Sequence, residues 1–419
     1  MQLPTDKKTT KTQYRITIFV MRYCIITILT ICANTGCLRA PDTRVITTEI
    51  AVYDDFPDGE PGISQGTSAS YTGVYDGKIY LAGGCNFPET PAADGGEKRY
   101  YKGIYAADIT DGNAEELKWK KVGELPEASA YGVSVSTPRG IICAGGTGYN
   151  GAIKRAYIIS RTERSDTIKT EALPDMPYAM DNMCGAYSNN TIYISGGKTD
   201  GIPACTFITL NLDSLEAGWQ VREPFPGRAR LQPVGMIYKS GNDTEYRILG
   251  GYSPPTETEG AVVAGDGYKY SVAENKWTYM PYPAENQKEY MTFSGATAVQ
   301  INDTAAAVCG GVNKTIFATA LDREQKLIRA AAAGDTIQIA ALQQEKRQYM
   351  TSPPPWYKFN NKLLLYSTSA NTCREIAEAP CFALAGSSSA ISGDTLYFLG
   401  GEIKPGIRTA QVVRVIIKH

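Results

Sequence analysis

The chain has 419 residues, with 42 basic and 43 acidic side chains and a formal charge of −1. That length buries a large core, and the even charge, with neither basic stripe nor acidic tail, gives a nucleic acid nothing to hold. The only histidine is the terminal His419, which removes Ser-His-Asp triads, His-ligated zinc and His general bases and leaves any chemistry to carboxylates, Arg, Lys, Tyr or Cys.

Residues 1–37 read as an export signal. A basic start precedes an apolar run around Ile25–Ile31 and small residues ahead of Cys37; the run is too short for a membrane span and ends in Ala-Asn-Thr-Gly. Thr35-Gly36-Cys37 resembles the end of a bacterial lipoprotein box, with Asn34 where Leu is usual, so Cys37 is a candidate for a lipid anchor. Met21 is an alternative start that would give a tidier signal. The expected location is periplasmic, either free or anchored to the membrane.

Residues 38–419 are expected to form one domain. "VITTEIAVYDDFP" is a first strand, and six units ending in Gly-Gly follow it: "KIYLAGG", "GIICAGG", "TIYISGG", "EYRILGG", "AAAVCGG" and "TLYFLGG". The second glycines fall at Gly84, Gly146, Gly197, Gly251, Gly311 and Gly401, spaced by 62, 51, 54, 60 and 90 residues, near the period of kelch blades. Between the pairs recur segments such as "WKKVGELP", "WQVREPFP" and "WTYMPYP", each followed by a small-residue strand. Small residues suit a strand crowded round an axis, and paired glycines permit a tight backbone. The pattern predicts an all-β fold, a six-bladed kelch-type β-propeller. The last unit has three strands, and the N-terminal strand would complete it and cover its edge. The long interval contains Ala- and charge-rich sequence that predicts a helical insertion near residues 318–350, ahead of Pro353-Pro354-Pro355.

Seven cysteines follow the leader, with no CxxC pair, which argues against a disulfide framework or thiolate cluster. Cys143 and Cys309 lie in apolar runs and read as core. Cys373 and Cys381 could pair; their sequence leaves that open. No metal or organic cofactor is indicated.

Residues just after each Gly-Gly should line one funnel: Cys85-Asn86, Thr147, Lys198, Tyr252, Val312 and Glu402. Glu402 is the one acid among them, and Arg408 follows across Pro405-Gly406 in "GGEIKPGIRT". A solvated loop carboxylate and its surface partner is the plain alternative for this pair. Weaker binding candidates are Asn86, which is equally at home in a turn, Arg99 and Tyr100 in the long loop of the same unit, and Arg228 and Arg230 in "PGRARLQP".

"GGEIKPGIRT", "GGCNFPETPAADGGEKRYYKGIY" (Gly83–Tyr105) and "GELPEASAYGV" (Gly123–Val133) together resemble the sialic acid mutarotases, or N-acetylneuraminate epimerases, which are exported kelch propellers. In the best-known members the Glu-x-Lys-Pro-Gly-x-Arg-Thr stretch precedes the segment matching Gly83–Tyr105. Here it comes last, so the chain looks like a cyclically permuted branch, as a closed ring allows. The resemblance implies that Glu402 is the catalytic acid-base and Arg408 its companion for the substrate carboxylate, and it suggests a homodimer. One carboxylate can take a proton from the anomeric hydroxyl and return it, while an arginine offers a planar fork matched to a carboxylate. Two alternatives stand beside this: a mutarotase for another sugar, for which Arg408 would be superfluous if the sugar were neutral, and a non-catalytic propeller binding glycan or protein. Copper radical chemistry lacks its histidine ligands.

Overall fold

The computed structural model describes residues 46–418 apart from 111–115, 163–166, 242 and 284–290. The leader, with Cys37, lies outside the described residues.

The described chain is almost entirely β, in six four-stranded antiparallel sheets. The first consists of Tyr71–Tyr75, Lys78–Ala82, Gly103–Asp108 and Lys120–Glu124. The next four repeat that order, beginning with Val133–Thr137, Cys184–Ser188, Val234–Ser240 and Ala296–Asn302. The sixth begins with Ser388–Ser392 and takes its outer strand from the other end of the chain, where Thr47–Tyr53 pairs along its full length with Val412–Lys418. The leading strands pack side by side in chain order, and that of the sixth sheet meets that of the first.

The core follows from this arrangement. Second strands such as Gly140–Ala144 are buried throughout, which is why they read as unbroken apolar runs rather than alternating ones. Their side chains join separate clusters, one between each neighbouring pair of sheets. Ile79 and Leu81 meet Tyr397 and Leu399 between first and sixth, and Phe207 and Ile208 belong to clusters on opposite faces of the third. The recurring tryptophans staple one sheet to the segment leaving its neighbour: Trp119 donates to the Asp55 carbonyl at 3.1 Å, and Trp219 and Trp277 donate to those of Pro174 and Glu223 at 2.8 Å.

At the centre, six backbones form a closed loop of hydrogen bonds. Ala69 donates to Gly386 (2.8 Å), Tyr131 to Ala69 (2.9 Å), Asn182 to Tyr131 (2.9 Å), Gln232 to Asn182 (2.8 Å), Gly295 to Gln232 (3.1 Å) and Gly386 to Gly295 (2.8 Å). All six residues are left-handed, with φ between 51° and 69°. For a side chain other than glycine that conformation costs roughly 1–2 kcal/mol, so Tyr131 and Gln232 are held there by the ring.

The second-to-third-strand connection of five sheets carries a short hairpin or ladder on this face, as at Cys85–Asn86 with Arg99–Tyr100 and Glu402–Lys404 with Ile407–Arg408. In the fifth sheet the same connection holds two helices, α1 (Lys314–Ala333) and α2 (Thr336–Thr351). They start slightly earlier than composition predicts because Asn313 caps α1, accepting from the Ile316 N–H at 3.1 Å; Gly334 ends it in a left-handed turn, and Asp335 caps α2. All seven described cysteines are free, Cys373 and Cys381 included, and Cys143 and Cys309 are buried.

Candidate active site

The residue after each Gly-Gly is tied to the backbone just ahead of the central ring. Cys85 pairs with Ser68, Thr147 with Ala130, Lys198 with Asp181, Tyr252 with Leu231 and Glu402 with Ala385, while the Val312 N–H donates to Ser294. The six funnel positions therefore surround one ring. The glycines are needed for this approach: a Cβ on Gly400, whose φ is 57°, would lie 2.2 Å from the Thr67 carbonyl oxygen.

Glu402 and Arg408 are direct cross-strand partners in their hairpin, turned by Pro405 and the left-handed Gly406. Sequence neighbours six apart thus become side-chain neighbours. Arg408 Nη2 meets Glu402 Oε1 at 2.7 Å, and Nε donates to Ser68 Oγ at 3.0 Å. The guanidinium lies 5.0 Å from the Phe87 ring centre, while Nη1 is buried with no hydrogen-bond partner among the described residues. Burial works against the Arg408 charge, but Glu402 and its other neighbours carry the net shift upward. The Arg408 side chain is 2% exposed and that of Glu402 26%; Glu402 is the member of the pair that a solute reaches.

Glu402 opens onto a cavity of about 260 Å³. Gln232 and Tyr252 form part of its wall, and the helices supply Phe317, Leu321, Arg323, Tyr349 and Met350. The helical pair is thus one side of the site. Arg323 lies over the Tyr349 ring at 4.9 Å, has no ion-pair partner among the described residues, and its Nε is buried without an acceptor. Burial, then Glu402 and Asp181, push the Tyr252 phenol up to about 12. A second opening of about 200 Å³ lies at the axis, lined by Tyr131, Asn182 and Gln232 of the ring.

The weaker candidates go elsewhere. Asn86 is buried, its amide nitrogen donating to Gly62 and Gly66 at 2.9 and 2.8 Å and its oxygen accepting from Tyr101 at 2.8 Å. Its amide is filled by protein groups, and it holds a turn. Arg99 pairs with Glu89 at 2.8 Å and Arg228 with Glu259 at 3.0 Å, both pairs partly in solvent. Arg230 is buried, bonded to Asp266 and to the carbonyls of Gly250 and Asp266. Tyr100 packs edge-on against Tyr149 at 5.3 Å, with its phenol pushed up by burial and then by Cys85 and Asp181. Sequence reading missed Tyr131, Asn182 and Gln232, although each precedes a small-residue strand where the other repeats have Gly or Ala. It also missed Arg323 and Tyr349, which carry no local signal because only the packing of the insertion brings them here.

The N-acetylneuraminate epimerase family model matches residues 173–419. The chain belongs to that family. The family's N-acetylneuraminate epimerase from Salmonella arizonae is 32% identical over 245 residues, covering 58% of each protein. The one from Yersinia enterocolitica is 30% identical over 243 residues, 58% of this chain and 57% of the relative. The chain thus matches somewhat under two thirds of these relatives' length. A solved structure titled "Structure of YjhT" aligns at 26% identity with a TM-score of 0.48, over 57% of this chain and 64% of that one. Glu402 and Arg408 lie inside the family match; Asn86, Arg99, Tyr100 and Tyr131 lie outside it.

Proposed function

We propose that this protein is a mutarotase that interconverts the α and β anomers of N-acetylneuraminate by ring opening, with Glu402 as the general acid-base. The observation that carries the reading is the Glu402–Arg408 pair: a partly exposed carboxylate at a cavity, tied to a guanidinium enclosed behind it. Arg408 fixes the direction of the Glu402 carboxylate through their 2.7 Å contact. Two guanidinium nitrogens without hydrogen-bond partners among the described residues, Arg408 Nη1 and Arg323 Nε, suit an anionic sugar better than a neutral one, because a buried cation gains most from a charged acceptor. Names of relatives within the family support the substrate class.

The six sheets, closed by the ring of left-handed residues, are read as the blades of a kelch-type propeller. The family match begins at residue 173, yet residues 71–173 form two sheets of the same strand order. A cyclic permutation accounts for this, since a linear alignment stops where sheet order wraps round. Export to the periplasm, with a lipid anchor at Cys37, belongs to the same reading and is tested by fractionating cells that express wild type and Cys37→Ala.

The activity is tested by proton NMR of N-acetylneuraminate freshly released as the α anomer. Wild type should speed equilibration over buffer, and Glu402→Gln should lose about 10²–10⁴-fold of that acceleration. Equal acceleration by both proteins would move the base elsewhere. No acceleration by wild type would leave a binding propeller or a different sugar.

A further inference from the structure

Resting on that reading, anomer exchange moves two protons: one leaves the anomeric hydroxyl and one reaches the ring oxygen. Glu402 accounts for the first. The second needs a donor on the same face of the ring of sheets, close to Glu402 and able to give up its proton.

Tyr131 meets those conditions. It is one of the six residues of the central loop, at φ 64°, a conformation that a bulky side chain adopts only when its surroundings impose it. Its backbone is locked on both sides, donating to Ala69 and accepting from Asn182, each at 2.9 Å. The phenol stands within hydrogen-bonding range of the Cys85 thiol and in the fields of Glu402 and Arg408; burial, then Cys85 and Glu402, push it well above its ordinary value, so it keeps its proton at neutral pH. Its oxygen accepts from Lys98 Nζ at 3.2 Å. That ammonium also lies 4.8 Å from the Tyr131 ring centre and 5.9 Å from that of Phe87, the ring that Arg408 packs against. Lys98 has no carboxylate partner among the described residues. A lysine that donates to a phenol oxygen leaves the phenol hydrogen to point elsewhere and stabilises the phenolate once that hydrogen has gone.

We propose that Tyr131 is the second catalytic group, giving its phenolic proton to the sugar ring oxygen while Glu402 takes the anomeric hydroxyl proton, with Lys98 as its positioning residue. The anomeric O–H bond breaks toward Glu402, the anomeric carbon forms its carbonyl, and the bond from that carbon to the ring oxygen breaks as the oxygen takes the Tyr131 proton. The open chain turns its other carbonyl face. The hydroxyl then adds, returning its proton to the Tyr131 phenolate, and Glu402 returns its proton to the carbonyl oxygen. Both groups end as they began, and no co-reactant is consumed.

The test is the same NMR exchange measured across substrate concentration for wild type, Tyr131→Phe, Lys98→Met and the double variant. Tyr131→Phe should lower kcat about 100-fold or more, with KM within about threefold and the fold intact by thermal melting. Lys98→Met should lower kcat about tenfold alone and add nothing in the Tyr131→Phe background, because it acts through the phenol. A Tyr131→Phe protein near wild-type kcat, or one changed only in KM, overturns the role of Tyr131. An additive double variant overturns that of Lys98. Wild type without acceleration removes the parent reading and this one together, a result distinct from loss in Tyr131→Phe alone.

Discussion

Two buried arginines in this protein look alike by every local measure. Arg408 and Arg230 are each almost wholly enclosed, and each meets a partly exposed carboxylate, Glu402 or Asp266, at 2.7 Å. What separates them is the rest of the guanidinium. Arg230 Nη1 donates to the carbonyls of Gly250 and Asp266, and its ring neighbour Tyr268 covers it at 5.1 Å. Arg408 keeps Nη1 unsatisfied, and its carboxylate lines a cavity. A satisfied pair braces a fold. A pair with an orphaned donor beside a cavity holds capacity for something not made by the chain. Burial and ion pairing alone do not tell a structural pair from a candidate site.

The comparison is broken most strongly by exchanging the outcomes of equivalent substitutions. Arg408→Met is expected to lower kcat for anomer exchange about 100-fold or more. Arg230→Met should leave activity per folded molecule unchanged while costing about 3–5 kcal/mol of stability in urea titration, as breaking a buried pair does. Activity loss in Arg230→Met at full stability would place both arginines in the site. A largely buried triad sharpens the contrast through pH. Glu245 bonds to Arg247 at 2.5 Å and Lys269 at 2.7 Å. Burial opposes its charge, yet these two partners hold its carboxyl below the usual range. Such a group contributes fully above its unfolded value of about 4.3 and loses its contribution as pH falls through the lower folded one. Thermal melts should therefore show stability lost on acidification below about pH 4.3, and Glu245→Gln should flatten that part of the curve. The smallest effect belongs to the exposed Arg228–Glu259 pair, where Arg228→Ala should shift stability by no more than about 0.5 kcal/mol.

Much of this was legible in the sequence because the repeats are local. Each Gly-Gly, each Trp and each apolar second strand acts within some sixty residues, as the spacing of Gly84 to Gly146 illustrates, so its meaning survives reading one unit at a time. The hairpin that joins Glu402 to Arg408 is more local still, since Pro405-Gly406 dictates the turn. Arg228 and Arg230 misled because "PGRARLQP" states their charge but not their acceptors, which lie in Gly250, Glu259, Gly260 and Asp266.

Chain order and the chemistry of single repeats, including the pairing of Glu402 with Arg408, were determined by the sequence alone, because hydrogen bonds between successive strands depend only on alternation and turns. The tertiary structure alone decided what faces what across repeats. It set Tyr131, Asn182 and Gln232 into one left-handed loop, brought Lys98 onto Tyr131, and laid α1 and α2 beside Glu402. Those contacts depend on the angle at which sheets close round an axis, a sum over every interface that no single stretch of residues records.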